Sequence, residues 1–150
     1  MLLGREEVNL DKPDGAGRTP FLYAAWKGRE GVMKILLASE EVNPDKACND
    51  GRTPLSYAAW LGHEGVVKIL LGREEVDPDK PDNGGRTPLS YAAEEGCEGV
   101  VKLLLGREEI DHNRPNNWGQ TPLMRATMGG HRKVIALLQP YYEAITPSAP

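Results

Sequence analysis

The stretch GRTPLSYAAWLG occupies residues 51–62, and GRTPLSYAAEEG follows at residues 85–96, a step of 34 residues. The two copies differ only where Trp60 and Leu61 are replaced by Glu94 and Glu95. The dipeptide Thr-Pro marks the same step along the chain, at 19–20, 53–54, 87–88 and 121–122. A fixed period of this length predicts a stack of structural repeats rather than a globule around one core.

Each repeat is predicted to contain two short helices and a polar loop. Thr53 is suited to cap the first helix, Pro54 is suited to its first position, and Gly62 to its end. The segment GVVKILL at 65–71 predicts a second helix that is apolar around most of its circumference. The segment GREEVDPDKPDNGG at 72–85 is rich in Pro, Asp and Gly and predicts an extended loop with a turn at its tip.

Neither helix is long enough to be stable alone, because isolated helices below about 12–15 residues are marginal in water. Each must therefore pack against the helices of the neighbouring repeats. The sequence predicts an all-α solenoid of stacked helix-turn-helix units joined by hairpin-like loops.

The letters of the unit identify the family that it resembles. A period of 34 is also that of tetratricopeptide repeats, but GRTPLSYAAWLGHEGVVKILL at 51–71 resembles the ankyrin repeat, and the other three copies follow it closely. The dense identity between copies also resembles the near-identical tandem arrays of fungal multidomain proteins of the NACHT-ankyrin type. The resemblance implies that the first helices line a concave side and that the loop tips project beside them.

The repeat pattern divides the chain. We expect a tail of a truncated preceding repeat, four ankyrin repeats and a C-terminal tail, at 1–14, at about 15–49, 50–83, 84–117 and 118–140, and at 141–150. The first full repeat is expected to expose apolar surface around Phe21, Leu22 and the aliphatic residues of its second helix, which favours end-to-end association.

The fourth repeat differs from the others in a way that is typical of a capping repeat. Arg125 replaces the recurring Tyr, Thr127 replaces an Ala, and Gln139 replaces a Leu. Pro140 is expected to end the last helix, and the following Tyr141 and Tyr142 are expected to fold back over it.

Positions that vary between repeats predict a binding surface. Trp60 and Leu61 fall off the apolar stripe of Leu55, Ala58 and Ala59, so we expect them at the exposed end of the first helix. With the corresponding positions and the loop tips they form a surface that we call the strip. Its predicted residues are Arg18, Trp26, Lys27, Asn49, Asp50, Arg52, Trp60, Leu61, Asn83, Arg86, Glu94, Glu95, Trp118, Gln120 and Met128.

The strip is expected to grade from aromatic to acidic along the stack. Trp26 and Trp60 lie at equivalent positions, so helix packing predicts them roughly 8–10 Å apart. Glu94 and Glu95 would form the acidic end, and Trp118 would extend the surface at the last tip. Trp, Tyr and Arg are the usual interface hot spots. Substituting Trp26 and Trp60 by Ala is expected to abolish partner binding with little loss of thermal stability.

Structural interpretations stand beside these functional ones. The two tryptophans are alternatively a cover over the inner helices. Tyr23, Tyr57 and Tyr91 recur at one position and are interpreted as packing between repeats. The arginines at 18, 52 and 86 are interpreted as a solvated column paired with nearby Asp rather than as a clamp for a ligand.

Composition argues against several classes of partner. The formal net charge is −4, with 22 acidic and 18 basic residues, whereas nucleic acids and anionic membranes require a basic face. No apolar run approaches the roughly 20 residues that span a bilayer, and the N-terminus does not resemble a signal peptide. Cys48 and Cys97 lie at different positions of the repeat, which favours a reducing compartment, and we expect a cytoplasmic, intracellular protein.

The sequence contains no convincing catalytic or metal-binding motif. His63-Glu64 is not followed by a second His at the helical zinc-protease spacing. The segment DPDKPDNGG at 77–85 places Pro81 at an EF-hand ligand position and has no closing Glu. His63 and His131 occupy the turn between helices, where the resemblance implies a local hydrogen bond. We therefore expect no cofactor, no metal and no enzymatic activity.

The predicted function is non-catalytic recognition of an unidentified protein partner through the strip by a monomeric protein. Two alternatives remain at this point. One is a structural or self-associating element whose ends make the real contact, and the other is a sensor arm that regulates an attached signalling domain.

Overall fold

The computed structural model describes residues 8–143, which contain eight helices and no strand. The helices are α1 (Pro20–Trp26), α2 (Glu30–Leu36), α3 (Pro54–Leu61), α4 (Glu64–Leu71), α5 (Pro88–Glu95), α6 (Glu98–Leu105), α7 (Pro122–Gly129) and α8 (Arg132–Glu143). None of them is long and apolar enough to cross a membrane. Of the tails predicted at 1–14 and 141–150, residues 1–7 and 144–150 lie outside the described residues.

The helices form two layers. The first helices α1, α3, α5 and α7 each contact the next, and the second helices α2, α4, α6 and α8 form a parallel row behind them. One continuous apolar core runs through all four repeats between the layers. The predicted all-α solenoid of stacked repeats is confirmed.

The first helices begin and end as their sequence predicts. The Thr53 hydroxyl accepts a hydrogen bond from the Ser56 amide at 3.1 Å, and the equivalent threonines cap the other three first helices. Pro54 occupies the first helical turn, where a backbone N–H would have no partner within the helix, so the missing N–H of proline costs no hydrogen bond. Gly62 ends α3 with φ of 73°, a left-handed conformation that favours glycine.

The second helices begin one residue before the predicted segment and bury one face only. In α4 the buried residues are Val66, Val67 and Leu70, while Ile69 is half-buried. The glycine near the start of these helices has a packing role. The Glu30 carboxylate of α2 lies where a Cβ on Gly65 would be, so a larger residue there would displace it.

The N-terminal edge of the stack differs in part from the prediction. Phe21 and Leu22 are fully buried, so the expectation that they are exposed is wrong. Leu22 points towards the following repeat and packs against Cys48 and Tyr57. The exposed apolar residues of this edge are the second-helix side chains Val32 and Ile35, which are 48% and 74% exposed.

The last helix continues through Pro140, so the prediction that it ends there is wrong. Helix α8 runs to Glu143, so Tyr141 and Tyr142 extend the helix instead of folding back over it. The Tyr141 ring lies 4.2 Å from the His112 ring between centroids, and the Tyr141 carbonyl accepts from the Asn113 amide group at 3.2 Å. These contacts hold the extra turn against the loop of the third repeat.

Candidate functional site

A continuous row of aromatic rings crosses the first three repeats. Its members, which we call the aromatic row, are Tyr23, Trp26, Tyr57, Trp60 and Tyr91. The two indoles are not direct neighbours, because the Tyr57 ring lies between them, at 5.2 Å from Trp26 and 6.3 Å from Trp60. Pairs at these centroid separations stabilise a fold by about 0.5–1.5 kcal/mol beyond the area that they bury.

Both interpretations of the tryptophans describe part of the geometry. Trp26 and Trp60 pack against a small buried cluster of Leu22, Cys48 and Tyr57, yet each remains half-exposed. They cover the inner residues with one part of the indole and present another part to solvent. Replacing them by Ala is therefore expected to lower the free energy of unfolding as well as to remove exposed binding surface. The sequence alone had predicted little loss of thermal stability.

The tyrosines of the row pack between repeats, as predicted. Tyr57 and Tyr91 are 5% and 2% exposed. The Tyr91 hydroxyl donates to Asp82 and accepts from Arg52 Nε of the preceding repeat at 3.0 Å. Burial, together with the bond to Asp82, raises the pKa of Tyr91 to about 12.

Arginine side chains lie over the aromatic row. The Arg18 guanidinium is 5.4 Å from the Tyr23 ring, and that of Arg52 is 5.4 Å from Trp60. At such distances the cation is attracted by the ring quadrupole. The predicted pairing with Asp occurs for Arg18 with Asp14 at 3.3 Å and for Arg52 with Asp82 at 3.9 Å, but no such pair forms at Arg86 within the described residues.

The loop tips are joined by a column of asparagines. The Asn83 backbone amide donates to Asp50 O at 3.0 Å, and its side-chain amide donates to Asn49 O at 2.9 Å. Asn49 and Asn117 make the equivalent bonds one repeat before and one repeat after. Asn49 and Asn83 therefore hold the tips in register, although both remain exposed at the predicted strip.

A side-chain oxygen closes the turn at three of the four tips, whereas Cys48 occupies the equivalent position at the second tip. Asp82 Oδ1 accepts from the amides of Gly84 and Arg86 at 2.9 Å each. Asp14 and Asn116 do the same in the first and fourth repeats. At the first tip, hydrogen bonds from the Tyr23 hydroxyl and from the backbone amides of Arg18 and Ala16 lower the pKa of Asp14 to about 2.

In the first three repeats, one residue of the variable pair at the end of the first helix contacts the next repeat. Trp60 Nε1 donates to Glu95 Oε1 at 3.1 Å, which ties the aromatic part of the strip to its acidic part. Glu94 forms an ion pair with Arg125 of the fourth repeat. The predicted acidic end is therefore partly neutralised.

The remaining strip residues, apart from Gln120, are open to solvent. Leu61 is 44% exposed, Trp118 is 64% exposed and Met128 is 68% exposed, and Lys27 and Asp50 are also exposed. Gln120 is half-buried and packs its amide against Arg125 and Met128. The fifteen predicted residues thus follow the first helices and tips from one repeat to the next.

The turn histidines form hydrogen bonds between repeats rather than within one. His63 Nε2 lies 3.0 Å from the Trp26 carbonyl oxygen, and His131 Nε2 lies 2.7 Å from that of Glu94. Because a carbonyl oxygen only accepts, Nε2 carries the proton in both rings. In the third repeat Cys97 replaces the histidine, and its Sγ lies 3.9 Å from the Trp60 carbonyl oxygen.

Sequence reasoning missed the surface at the end of the fourth repeat. A groove of about 430 Å³ is lined by Leu123, Met124, Thr127, Met128 and Tyr142, together with polar residues at the start of α7. Met124 is 47% exposed, whereas the equivalent Ser56 and Ser90 are buried beneath the next repeat. Comparing position 124 with its copies would have revealed this apolar side chain on a face that otherwise carries polar replacements.

In the described part of the chain, no group of three His, Cys, Asp or Glu side chains is arranged to hold a metal ion.

The layered helices, the capped first turns and the tips joined by hydrogen bonds define the class of a stacked helical repeat protein. The family model described as ankyrin repeats (3 copies) matches residues 1–82 and 67–147, and so covers nearly the whole chain. The chain belongs to the ankyrin repeat family. No curated individual protein matches it at a significant level.

Membership carries a general function. Ankyrin repeats are generally protein–protein interaction modules, and the family is generally non-enzymatic. The resemblance to fungal NACHT-ankyrin arrays stays a prediction.

Proposed function

We propose that this protein binds a protein partner through the strip, without catalysing a reaction. The observation that carries the proposal is the separation of two kinds of residue on one face. The tips are joined by asparagines that recur, whereas the side chains that change from repeat to repeat stay half-buried or exposed around the aromatic row, even where Trp60 and Glu94 bond to the next repeat. A surface that varies over a constant frame is what a recognition module requires.

The composition of the strip supports a protein partner. Trp26, Trp60 and Trp118 lie on it together with the arginines at 18, 52 and 86, and these residue types dominate binding energies at interfaces. The net charge of −4 disfavours nucleic acid and anionic membranes as partners. The free thiols of Cys48 and Cys97 support a reducing, cytoplasmic location, and the protein is proposed to act as a monomer.

The repeats themselves supply a variant that tests the strip. Trp60→Glu with Leu61→Glu copies the third repeat into the second, so the new residues already occur at that position of this fold. Peptides selected from a random displayed library on the intact chain are expected to lose at least tenfold in affinity for this variant. Lys68→Glu, on the exposed outer side of α4, is the matched control and is expected to bind as wild type.

Two results would reject the proposal. One is equal loss for the strip variant and the Lys68→Glu control, and the other is retention of affinity by the strip variant. Circular dichroism at the binding temperature verifies that each variant is folded.

A second candidate function is self-association through the ends of the stack. It is favoured by the exposure of Val32 and Ile35 at one edge and of Met124 and Met128 at the other. Such a contact would be head-to-tail and would not close on itself. Sedimentation at increasing protein concentration tests it: growth of the particle with concentration supports self-association, and a constant monomer rejects it. The sensor-arm alternative concerns the domains attached in the whole protein and is tested on the full-length gene product.

A further inference from the structure

One arginine of the column over the aromatic row has no acidic partner. Arg18 and Arg52 lie beside the carboxylates of Asp14 and Asp82, but within the described residues no carboxylate oxygen lies within ion-pair distance of Arg86. The Arg86 guanidinium lies over the rings of Tyr91 and Trp118, at 5.8 Å and 5.4 Å from their centroids.

Two residues explain the difference. Asp82, the equivalent of the Asp14 that pairs with Arg18, is already engaged by Arg52 and Tyr91, and the residue on the next tip is uncharged. Arg52 pairs with Asp82, the residue that closes the tip turn of the next repeat. For Arg86 the equivalent residue of the next repeat is Asn116. Its Oδ1 still closes the turn, but its Nδ2 donates to Gln120 at 3.0 Å and brings no negative charge. The turn is preserved while the counter-charge is lost.

Arg86 borders an open cleft between two tips. The cleft has a volume of about 280 Å³ and is lined by Asp50, Arg52, Asp82, Asn83, Gly84, Arg86 and Trp118. The Trp118 ring rests against Gly84, since a Cβ at that position would come within 3.2 Å of it. The indole is therefore supported from one side and open to solvent on the other, at 64% exposure.

The charges in the cleft select the class of group that fits. Asp82 is engaged by two backbone amides, by Tyr91 and by Arg52, which offsets its charge. This leaves one cation, Arg86, and one exposed anion, Asp50. A single carboxylate can pair with the guanidinium in a charge-assisted hydrogen bond. A phosphate dianion doubles the attraction to Arg86 and the repulsion from Asp50 alike, but it costs more to desolvate than a monoanion, so the cleft favours the carboxylate.

We propose that the cleft between the third and fourth tips binds an acidic side chain of the protein partner, with Arg86 pairing its carboxylate and Trp118 covering an adjacent aliphatic side chain. The inference rests on the proposed function and names the partner chemistry at one end of the strip. It predicts that recognised segments contain Asp or Glu next to a residue such as Leu.

The chain offers two variants that change the charge and keep the turn. Asn116→Asp copies Asp82, the equivalent residue one step of 34 earlier, and supplies Arg86 with a counter-charge. Arg86→Gln copies Gln120 of the fourth repeat and removes the cation. Both residues already occur at these positions of the fold, so both variants are expected to fold.

The test titrates the intact protein with acetyl-Glu-Leu-amide while the Trp118 indole N–H signal is followed by NMR. Acetyl-Gln-Leu-amide and acetyl-phosphoserine-Leu-amide are the comparison ligands. We expect the Glu dipeptide to bind at least fivefold tighter than the Gln dipeptide, as a charge-assisted bond at a partly exposed site implies. Either variant is expected to abolish that preference.

Three results would overturn the inference: equal binding of the Glu and Gln dipeptides, tighter binding of the phosphoserine dipeptide, or an unchanged preference in Asn116→Asp. These outcomes leave the proposed function standing if library-selected peptides still lose affinity for the Trp60→Glu and Leu61→Glu variant. Retention of affinity by that variant rejects the proposed function itself.

Discussion

Replacing Cys97 by His is expected to stabilise the protein by restoring a missing bond between repeats. At the equivalent turn, His63 Nε2 lies 3.0 Å from the Trp26 carbonyl oxygen, and His131 Nε2 lies 2.7 Å from the Glu94 carbonyl oxygen. At the third repeat the donor is a thiol, 3.9 Å from the carbonyl oxygen of Trp60. A thiol is a weak donor, so this carbonyl is poorly satisfied.

The size of the effect follows from the hydrogen bond gained. A neutral intramolecular hydrogen bond contributes about 0.5–1.5 kcal/mol net to the free energy of unfolding. The imidazole has room, because the neighbouring Gly62 has the same left-handed conformation as Gly96, beside which His131 fits. We expect Cys97→His to raise the free energy of unfolding by about 1 kcal/mol, or the melting temperature by about 2–4 °C for a chain of this size.

Urea denaturation followed by circular dichroism measures the change, with His63→Cys as the reciprocal variant. We expect His63→Cys to lose about as much as Cys97→His gains. If Cys97→His were neutral or destabilising while His63→Cys behaved as expected, the equivalence of the turns would be wrong. If both were neutral, the bond between repeats would contribute nothing to stability.

Three further outcomes are expected from the geometry. Gly31→Ala should stabilise α2 by about 0.5 kcal/mol, because nothing lies within 4 Å of the added Cβ, whereas Gly62→Ala should destabilise the protein at φ of 73°; urea denaturation compares the two, and a gain at Gly62 would refute the argument. The pKa of Tyr91 is raised from 10.0 to about 12, so its contribution to stability is present below pH 10 and is lost as the pH rises towards 12. Raising the pH from 9 to 11 should therefore lower the free energy of unfolding by about 1 kcal/mol more in wild type than in Tyr91→Phe, and equal losses would contradict this. Trp26→Ala with Trp60→Ala should lower the free energy of unfolding by about 2 kcal/mol or more, since each indole packs in the aromatic row; a change below about 0.5 kcal/mol would mean that they are surface groups only.

Local signals made much of the fold predictable. Thr53, Pro54 and Gly62 each act on backbone groups within a few residues of themselves, so these residue types alone predicted the bounds of α3. The 34-residue step then required the stack, because such short helices have no other way to bury their apolar faces.

Contacts between repeats were less accessible from sequence. The ion pair of Glu94 with Arg125 and the bonds of the turn histidines join residues 31 or 37 positions apart, and their partners depend on how one repeat is offset from the next. The passage of α8 through Pro140 also depends on a distant contact, the packing of Tyr141 on His112. Proline normally ends a helix by removing a backbone donor, and the contacts of Tyr141 with His112 and Asn113 offset that loss.

The strip was found from variation between copies, but its electrostatics were not. Arg86 has no acidic partner because Arg52 pairs with Asp82 and because the next tip carries Asn116 in place of Asp. Both reasons involve a neighbouring tip, so the arginine column looks uniform in the sequence. Variation between copies predicted which positions form the strip, whereas the ion pairs at those positions depend on side chains of the neighbouring repeat.

The three indole N–H signals test the central claim most directly, because all the tryptophans of the chain, Trp26, Trp60 and Trp118, lie on the strip. A library-selected peptide added to the labelled protein should shift the signals of Trp60 and Trp118 and leave the outer-helix amides of Lys68 and Lys102 in place. Shifts confined to the outer helices, with all three indole signals unchanged, would contradict recognition through the strip.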